Sequence, residues 1–505
     1  MNEWHSGYVV DVGYTHGFYR EFSPSHLALT QLLADAHKGS VHHFCELGCG
    51  QGFAINLLAA ANPQVAFHAV DFNPAQIAGA QRLAAKAELS NIIFHEASFA
   101  EFAQRTDLPL FDVIALHGIY SWVAAEHRAT LIDILRSRLR PGGLVYISYN
   151  ALPGWAAAAP LRELIYRHAR HDKGVDRLSG ALAFTERLEQ LGALYFKSNP
   201  AAGPKLAKLK KENSSYLAHE LLNATWKAFY HAEVVEDLAA AKLEFLASAD
   251  TLDHIESINL TVDQQHLLAE IPEAALRETT RDYLVNRQFR RDTFVRGRLA
   301  LTSIEVREAW LSLRVALTLV RSDIPSTVKG VLGEATLQPQ VYDPILDVLS
   351  DGPRTLEQLS ADTRLTQLDF AALQQAITVL IGAGHLAPCL PEEGESIRAA
   401  SARAFNLAVL ERARHGEELQ FLASPVTGSG HHLGRCDQLF LVHHQTRRED
   451  SPEHFVWKTL SSQGLRVLKD GIPLQDETAN LAELRSRYTA FLANCLPVLQ
   501  QLGIA

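Results

Sequence analysis

The chain of 505 residues has few cysteines, and it lacks any long run of apolar residues. The five cysteines are scattered, their number is odd, and no pair has zinc-finger or redox spacing. This usage is typical of a reducing compartment, so we expect a cytoplasmic protein. Because no run of about eighteen apolar residues occurs, we expect no membrane span. The N-terminal residues also lack the basic start and apolar core of a secretion signal.

Positive charge is scarce as well, because the formal net charge at pH 7 is −10. This balance argues against non-specific binding to nucleic acid, and we expect no nucleic-acid partner. A histidine-rich stretch in the C-terminal third fits no common zinc spacing, so we predict no metal site; it contains His431, His432, Cys436, His443 and His444. The apolar fraction of 47% is that of a globular protein.

A strand, a glycine turn and a helix follow one another near the N-terminus. Residues 41–47 form an apolar run, and residues 53–61 have the composition of a helix. A second predicted strand, residues 65–70, ends in Asp71, whose carboxylate is placed to bind both hydroxyls of a ribose. The turn between the first strand and the helix contains three alternate glycines, which let the backbone approach a ligand closely; they are Gly48, Gly50 and Gly52.

The glycine spacing distinguishes between two cofactor classes. The dinucleotide fingerprint needs glycine at the first, third and sixth positions, but the sixth position from Gly48 is Phe53. Glycines at the first, third and fifth positions after the acidic Glu46 resemble the first motif of class I S-adenosylmethionine (SAM) methyltransferases. Since SAM has no pyrophosphate, the helix N-terminus would face its methionyl carboxylate.

Further strands are predicted over residues 92–95, 111–116 and 144–149, with a helix stop and turn at 139–143. Apolar runs of this kind, alternating with helices, indicate a parallel sheet covered on both faces. Ligands of such sheets bind at the carboxyl ends of the strands. We therefore expect an α/β fold with its site along that edge.

The chain divides into four regions by pattern. We predict an N-terminal lid and helix over 1–40, a Rossmann-like methyltransferase domain over 41–175, a mostly helical domain over 176–330, and a winged-helix-like region over 335–505. Residues 341–388 carry more acidic than basic side chains. Because phosphate contacts dominate DNA affinity, this module is interpreted as a packing or partner-docking unit.

Several motifs resemble the bacterial branch of class I methyltransferases that carries a methyltransferase regulatory domain. That branch includes rickettsial protein lysine methyltransferases. The resemblance implies a SAM-dependent enzyme, covers about residues 8–300, and weakens after 340. The motifs lie at residues 14–21, 117–123, 149–155, 216–220 and 286–292.

The resemblance also implies roles for individual residues. The three glycines would underlie the methionyl part, Glu46 would orient the turn, and Asp71 with Phe72 would hold the ribose. Ser98 and Phe99 would flank the adenine. His117, a cofactor contact as well, would face the transferring methyl together with Tyr120. Tyr14, the catalytic candidate Tyr19 and Arg20 would form a lid, with Arg20 paired to the SAM carboxylate.

This chain departs from the family pattern at two places. Phe18 replaces the first residue of a tyrosine pair, and Glu96-Ala97-Ser98 stands where many class I enzymes have Asp. Recognition of the adenine is therefore less well defined than recognition of the ribose.

Each role has a structural alternative. Asp71 could instead cap the next helix, and His117 could be a strand-end histidine without a catalytic role. Trp122 is interpreted as a core residue. Residues 287–298 are expected to form ion pairs within the helical domain rather than to bind an acidic substrate.

Three functions remain open at this point. The first is methylation of protein lysine side chains, with the additional domains offering a surface to a protein substrate. The second is N- or O-methylation of a small-molecule acceptor, with the same domains serving as a lid or as the interface of a homodimer. The third is a non-catalytic SAM-binding scaffold, against which the intact Glu46, glycine and Asp71 set argues.

Overall fold

The computed structural model describes residues 7–9, 13, 15–37, 39–171, 176–446 and 449–505. A seven-stranded sheet forms the centre of the fold, and its first five strands are mutually parallel. The predicted strand–glycine–helix unit is present, and its helix has the predicted bounds. The five strands are β1 (His43–Leu47), β2 (Ala66–Asp71), β3 (Ile92–Glu96), β4 (Phe111–Leu116) and β5 (Leu139–Asn150).

Helices connect these strands and cover both faces of the sheet. A helix at the N-terminus, α1, follows a 3₁₀ turn over Arg20–Phe22. The helices of this part are α1 (Pro24–Leu33), α2 (Phe53–Ala61), α3 (Pro74–Lys86), α4 (Phe99–Ala103) and α5 (Ala125–Arg138).

The predicted helix stop is confirmed, because α5 ends at Arg138. The turn predicted over residues 139–143 is wrong, because β5 already begins at Leu139. Phe111 pairs with Leu139 and Val113 pairs with Leu144, so β5 advances five residues while β4 advances two. The proline and glycines of this segment therefore form an irregularity within the strand pair. Gly142 has a φ of 79°, a conformation that glycine adopts without strain.

Two further strands, β6 (Glu244–Ser248) and β7 (Phe289–Val295), complete the sheet. They come from the region that was predicted to be mostly helical. The strand order is β3-β2-β1-β4-β5-β7-β6, and β7 runs antiparallel to both of its neighbours. The prediction of an all-parallel sheet therefore needs correction: the sheet is mixed.

Apolar side chains alternate between the two faces of the sheet, as expected for strands that are covered on both sides. On β1, Phe44 lies in the cluster that contains α2, whereas Cys45 lies in the cluster that contains α4 and α5. All six residues of β4 are buried. The centre of the sheet is thus a rigid base for the residues at its carboxyl edge.

The helical region packs beyond β5 and around β6 and β7. Part of it encloses a separate apolar core that includes Leu161, Leu206 and Leu217. Its helices are α6 (Ala159–His171), α7 (Arg177–Gln190), α8 (Leu194–Ser198), α9 (Ala202–Leu209), α10 (Ser214–Leu221), α11 (His231–Ala239), α12 (Glu256–Asn259), α13 (Val262–Ala269) and α14 (Ala274–Val285).

The segment after β7 forms a small three-stranded sheet, in the order β11-β8-β12, together with four helices and a hairpin. The assignment of this region as a winged helix stays a prediction. The elements are α15 (Ser303–Ser312), β8 (Arg314–Leu317), β9 (Thr327–Gly330), β10 (Gly333–Thr336), α16 (Pro339–Leu349), β11 (Arg354–Thr355), α17 (Leu356–Ala361), α18 (Phe370–Gly382) and β12 (Leu386–Cys389).

Residues 395–505 share a core with the methyltransferase sheet. Phe405 packs on Phe53 of α2 with 6.0 Å between ring centroids, and Asn62 donates to the Gly428 carbonyl over 2.8 Å. The elements are α19 (Glu395–Ala413), β13 (Phe421–Ser424), β14 (Ser429–His432), α20 (Arg435–Thr446), α21 (Pro452–Ser461), β15 (Leu468–Lys469), β16 (Ile472–Pro473), α22 (Glu477–Ala490), a π turn (Phe491–Cys495) and α23 (Leu496–Gln501).

Among the described residues, none of the helices combines the length and the apolar character that crossing a bilayer requires.

Candidate active site

The glycine turn lies between the end of β1 and the start of α2. Gly48 has a φ of 78°, and a Cβ there would lie 2.2 Å from the Ile119 side chain. Gly52 has a φ of 64°, and a Cβ there would lie 2.5 Å from Ala80. Side chains at these positions would therefore be both strained and obstructed, so the turn exposes bare main chain.

Asp71 ties the end of β2 to this turn. Its buried carboxylate accepts hydrogen bonds from the amides of Gly50 and Asn73, each over 2.9 Å. Burial raises the pKa of Asp71, and the hydrogen bonds from the amides partly oppose that rise. The side chain that caps α3 is Asn73, which accepts from the amides of Ala75 and Gln76. The alternative that Asp71 is the cap of this helix is therefore wrong.

Glu46 is the second buried carboxylate beside the turn. Its Oε2 has no hydrogen-bond partner among the described residues. Burial, and then the neighbouring charge of Asp71, raise the pKa of Glu46 to about 8. A cationic amine would satisfy this oxygen and favour the ionised carboxylate. These groups together fit SAM. The exposed main chain of the glycine turn and the unpaired Glu46 oxygen fit its methionyl part, and Asp71 fits its ribose.

A cavity of about 280 Å³ opens at the carboxyl ends of β4 and β5. The N-terminal segment, the two strand ends and helices α9 and α10 enclose it. Its aromatic lining comprises Tyr8, Tyr19, Trp122, Trp155, Tyr216 and Phe289, and its polar lining includes His117, Asn150, Lys205, Glu212, Glu220 and Arg291.

His117 lies where β4 ends, and it faces this cavity. Its Nδ1 is 3.0 Å from the Tyr146 hydroxyl and 3.4 Å from the Ser148 hydroxyl. The Tyr19 ring stacks on its imidazole with 3.6 Å between centroids. Burial, helped by the positive charge of Arg291, lowers the pKa of His117 to about 3. The imidazole is therefore neutral at physiological pH and adds no positive charge to the cavity.

Asn150 and Glu220 are two further polar residues that line this cavity. Asn150 Nδ2 donates to Glu220 Oε1 over 3.3 Å, and Trp155 Nε1 donates to Asn150 Oδ1 over 3.2 Å. Glu220 is only 8% exposed, and burial raises its pKa. Lys205 Nζ lies 4.3 Å from the centroid of the Trp155 ring.

Two residues predicted at the site lie elsewhere. Tyr120 was expected to face the transferring methyl, but its ring is buried beside Phe229 and its hydroxyl donates to Asp237 over 2.6 Å. Arg20 was expected to pair with the SAM carboxylate, but its guanidinium donates to the Gly382 carbonyl over 2.9 Å. Tyr14 lies outside the described residues.

The predicted adenine-side residues differ in what they contact. The Ser98 hydroxyl begins α4 in a reciprocal capping arrangement with Glu101, so it is engaged in the helix start. The Phe99 ring lies close to Gly48, at 4.0 Å from the Cβ that Gly48 lacks. Phe72 packs against Tyr8 with 5.9 Å between centroids. Phe72 and Phe99 therefore remain candidates for the cofactor side.

Several cavity residues were not assigned a role from sequence. Asn150, Tyr216 and Glu220 lie in motifs that carry the family resemblance. The sequence therefore marked these segments, but it did not indicate a role for these three residues. Trp122, expected in the core, lines the cavity instead. Two basic residues of the segment 287–298 form the expected ion pairs. Arg290 pairs with Asp282 and Asp292, and Arg287 pairs with Asp253. Arg291, by contrast, lines the cavity.

Comparison with known proteins agrees with this architecture. Residues 38–185 match a methyltransferase domain family, and residues 213–296 match a predicted methyltransferase regulatory domain. An uncharacterised protein of Synechocystis sp. is 42% identical over 99% of this chain and 100% of its own length. An uncharacterised protein of Rickettsia prowazekii is 26% identical over 55% of this chain and 51% of its own.

The solved structure of PKMT2 from Rickettsia typhi, in complex with AdoHcy, superimposes with a TM-score of 0.69. The two chains are 18% identical, and the match covers 97% of this chain and 99% of the other. The fold thus extends over nearly the whole length, including the C-terminal third. The protein is a SAM-dependent methyltransferase, and it belongs to the class I family in which the catalytic domain is followed by a methyltransferase regulatory domain.

Proposed function

We propose that the protein transfers methyl groups to lysine side chains of a protein substrate. The observation that carries this proposal is the aromatic cavity at the carboxyl ends of β4 and β5, which contains the buried carboxylate of Glu220. Aromatic rings and a carboxylate are the groups that recognise a cationic amine. The likeness in fold to PKMT2 from Rickettsia typhi supports the same class of acceptor.

The size of the cavity is compatible with a single side chain. Its volume of about 280 Å³ lies at the lower end of the roughly 300–1,000 Å³ of typical small-molecule pockets. A long, narrow side chain such as lysine would fill it from the mouth between α9 and α10. The remainder of the substrate would then lie outside on the helical domain.

When bound, SAM supplies a methyl group on a positively charged sulfur. The acceptor amine must be neutral, and for a free lysine at pH 7 deprotonation costs about 4.6 kcal/mol. The positive charge of the nearby sulfonium would disfavour the ammonium and reduce that cost. The neutral His117 and the Tyr19 ring stacked on it would exclude water and hold the amine at the end of β4.

The test is incubation of the pure protein with methyl-labelled SAM and a cell lysate that is separated by size. We expect label in the macromolecular fraction, recovered as methyl-lysine after hydrolysis. A Gly50→Arg variant, with its turn blocked, is the matched control and should transfer no label. Label confined to small solutes, or recovered on another type of residue, would contradict the proposal and favour a different acceptor.

A further inference from the structure

We infer that Glu220 is the binding group for the acceptor's ammonium, so that the regulatory domain supplies part of the substrate site. This inference rests on the proposed function, because it assumes that the acceptor is a cationic amine. Glu220 lies near the end of α10, a helix within the regulatory domain, and its side chain lines the cavity beside Asn150. It is a specificity residue, not a group of the cofactor site.

The carboxylate of Glu220 is buried without a cation beside it. The hydrogen bond that it accepts from Asn150 Nδ2 is long at 3.3 Å. Among the described residues, no lysine, arginine or histidine nitrogen lies within 4.0 Å of its oxygens. A buried carboxylate without a countercharge is costly, and a cation arriving through the cavity would remove that cost.

The two basic side chains that act electrostatically on Glu220 have other direct partners. Lys205 places its ammonium over the Trp155 ring and donates to Gln288 Oε1 over 3.2 Å. Arg162 donates to the Asn223 carbonyl and pairs with Glu163 at 3.8 Å. Both lower the pKa of Glu220 from a distance, against the larger effect of burial, which raises it. Neither occupies the position of a direct partner.

Aromatic rings surround the same space. Lys205 already shows that an ammonium is accommodated over Trp155 in this cavity. Tyr8 and Tyr216 also line it, and burial together with the negative charge of Glu220 raises the pKa of both phenols. Their hydroxyls therefore stay protonated. A carboxylate framed by neutral rings binds an ammonium more tightly than it binds a neutral group of the same shape.

Tyr8 connects this subsite to the cofactor side. Its ring packs between Phe72, the residue after Asp71, and His219, the residue before Glu220, with centroid distances of 5.9 and 5.6 Å. The carboxylates of Asp71 and Glu220 both act on its hydroxyl. An amine held by Glu220 would therefore lie next to the crevice formed by the glycine turn and Asp71.

The experiment uses two glycine- and serine-rich peptides that differ only in a central lysine or norleucine. Calorimetry with the full-length protein and S-adenosylhomocysteine gives the ratio of their dissociation constants. We expect the wild type to bind the lysine peptide at least 10-fold more tightly. In Glu220→Gln the ratio should fall at least 10-fold, as expected for loss of a charge-assisted hydrogen bond.

The matched control is Glu270→Gln, since Glu270 also lies in the regulatory domain but is exposed and does not line the cavity. This variant should keep the wild-type ratio, and Glu220→Gln should bind S-adenosylhomocysteine with unchanged affinity, which verifies that it is folded. Retention of the ratio by Glu220→Gln, or equal or undetectable binding of the two peptides by the wild type, would overturn the inference. Lysine labelling in the lysate experiment does not depend on this ratio, so the two proposals fail separately.

Discussion

The Asp71 carboxylate accepts a hydrogen bond from the Gly50 amide over 2.9 Å, and this contact joins the end of β2 to the turn after β1. The bond fixes two parts of the cofactor crevice relative to each other. It also leaves the carboxylate at the sheet edge, where a ribose hydroxyl would meet it. We therefore propose that Asp71 both shapes the cofactor crevice and binds the ribose.

Replacement of Asp71 by Ala should weaken SAM binding by about 2 kcal/mol, because charge-assisted hydrogen bonds are lost. The measurement is titration calorimetry. Asn73→Ala is the matched control, since it removes the cap of α3 at a cost of about 1 kcal/mol in stability. This control should leave SAM affinity unchanged. Equal SAM affinities for the wild type and Asp71→Ala would show that the ribose site is misplaced.

Glu46 should make SAM binding depend on pH. Because its pKa is raised to about 8 in the free protein, the amine of SAM should favour ionisation, and binding should release protons near neutral pH. SAM affinity should therefore rise between pH 6 and 8 in the wild type. Glu46→Gln should remove this part of the slope. Calorimetry in buffers of different ionisation enthalpy measures the protons released, and identical release by both proteins would contradict the assignment.

The same residue should affect stability in the absence of SAM. A carboxyl whose pKa is higher in the folded state than in the unfolded state binds more protons when folded. The free energy of unfolding therefore falls as pH rises from about 4.5 toward 8, by at most about 1.4 kcal/mol per pH unit. Denaturant unfolding at several pH values should show a steeper decline for the wild type than for Glu46→Gln. Parallel declines would refute this.

Tyr120→Phe should reduce stability and spare activity, contrary to the role expected from sequence. The substitution removes the hydrogen bond to Asp237, at a cost of about 1–2 kcal/mol. The ring itself would stay packed against Phe229. Thermal unfolding and steady-state kinetics test both parts. A large fall in kcat at unchanged stability would restore Tyr120 to the catalytic group.

Asp292→Ala should destabilise the protein by about 3 kcal/mol, because it removes a buried carboxylate that pairs with Arg290 and accepts from the Tyr149 hydroxyl. Burial alone would raise the pKa of Asp292, but Arg290, His231 and Tyr149 together hold it below its usual value. A depressed folded-state pKa contributes stability that is lost as pH falls below about 4.

The control for this change is Asp133→Ala, which breaks an exposed pair with Arg136 and should cost at most about 1 kcal/mol. Chemical unfolding at pH 7 measures both variants. Similar small losses for the two would mean that the buried contacts of Asp292 with Arg290, His231 and Tyr149 do not stabilise the sheet.

The parts of the fold that were predictable are those encoded locally. The apolar run of β1, the glycines of the turn and the helix after them are consecutive, so their structure follows from neighbours in sequence. β4 was found for the same reason. Asp71 could be named as a candidate because it stands at the end of a predicted strand.

β7 could not be found this way. Its residues include Arg290, Arg291 and Asp292, which argue against a buried strand when they are taken alone. The strand is stable because Arg290 is paired with Asp282 and Asp292, and Asp292 also accepts from the Tyr149 hydroxyl on β5. Partners distant in sequence decide its structure, and no local pattern contains them.

The candidate site also depends on contacts between residues that are distant in sequence. The motif around residue 117 correctly marked a strand end, but the side of the sheet to which Tyr120 turns depends on packing against Phe229. Asn150 and Glu220 are 70 residues apart and meet only in the folded chain. Most residues that we propose for the cofactor were therefore named from sequence, whereas Asn150 and Glu220 of the proposed acceptor cavity were not.

The most direct test is a crystal structure of the full-length protein with S-adenosylhomocysteine. The account predicts the methionyl end on the Gly48–Gly52 turn with its amine at Glu46, the ribose hydroxyls on Asp71, and the sulfur facing the cavity that holds His117 and Asn150. A ligand bound away from the turn, or with its sulfur directed away from that cavity, would contradict the account.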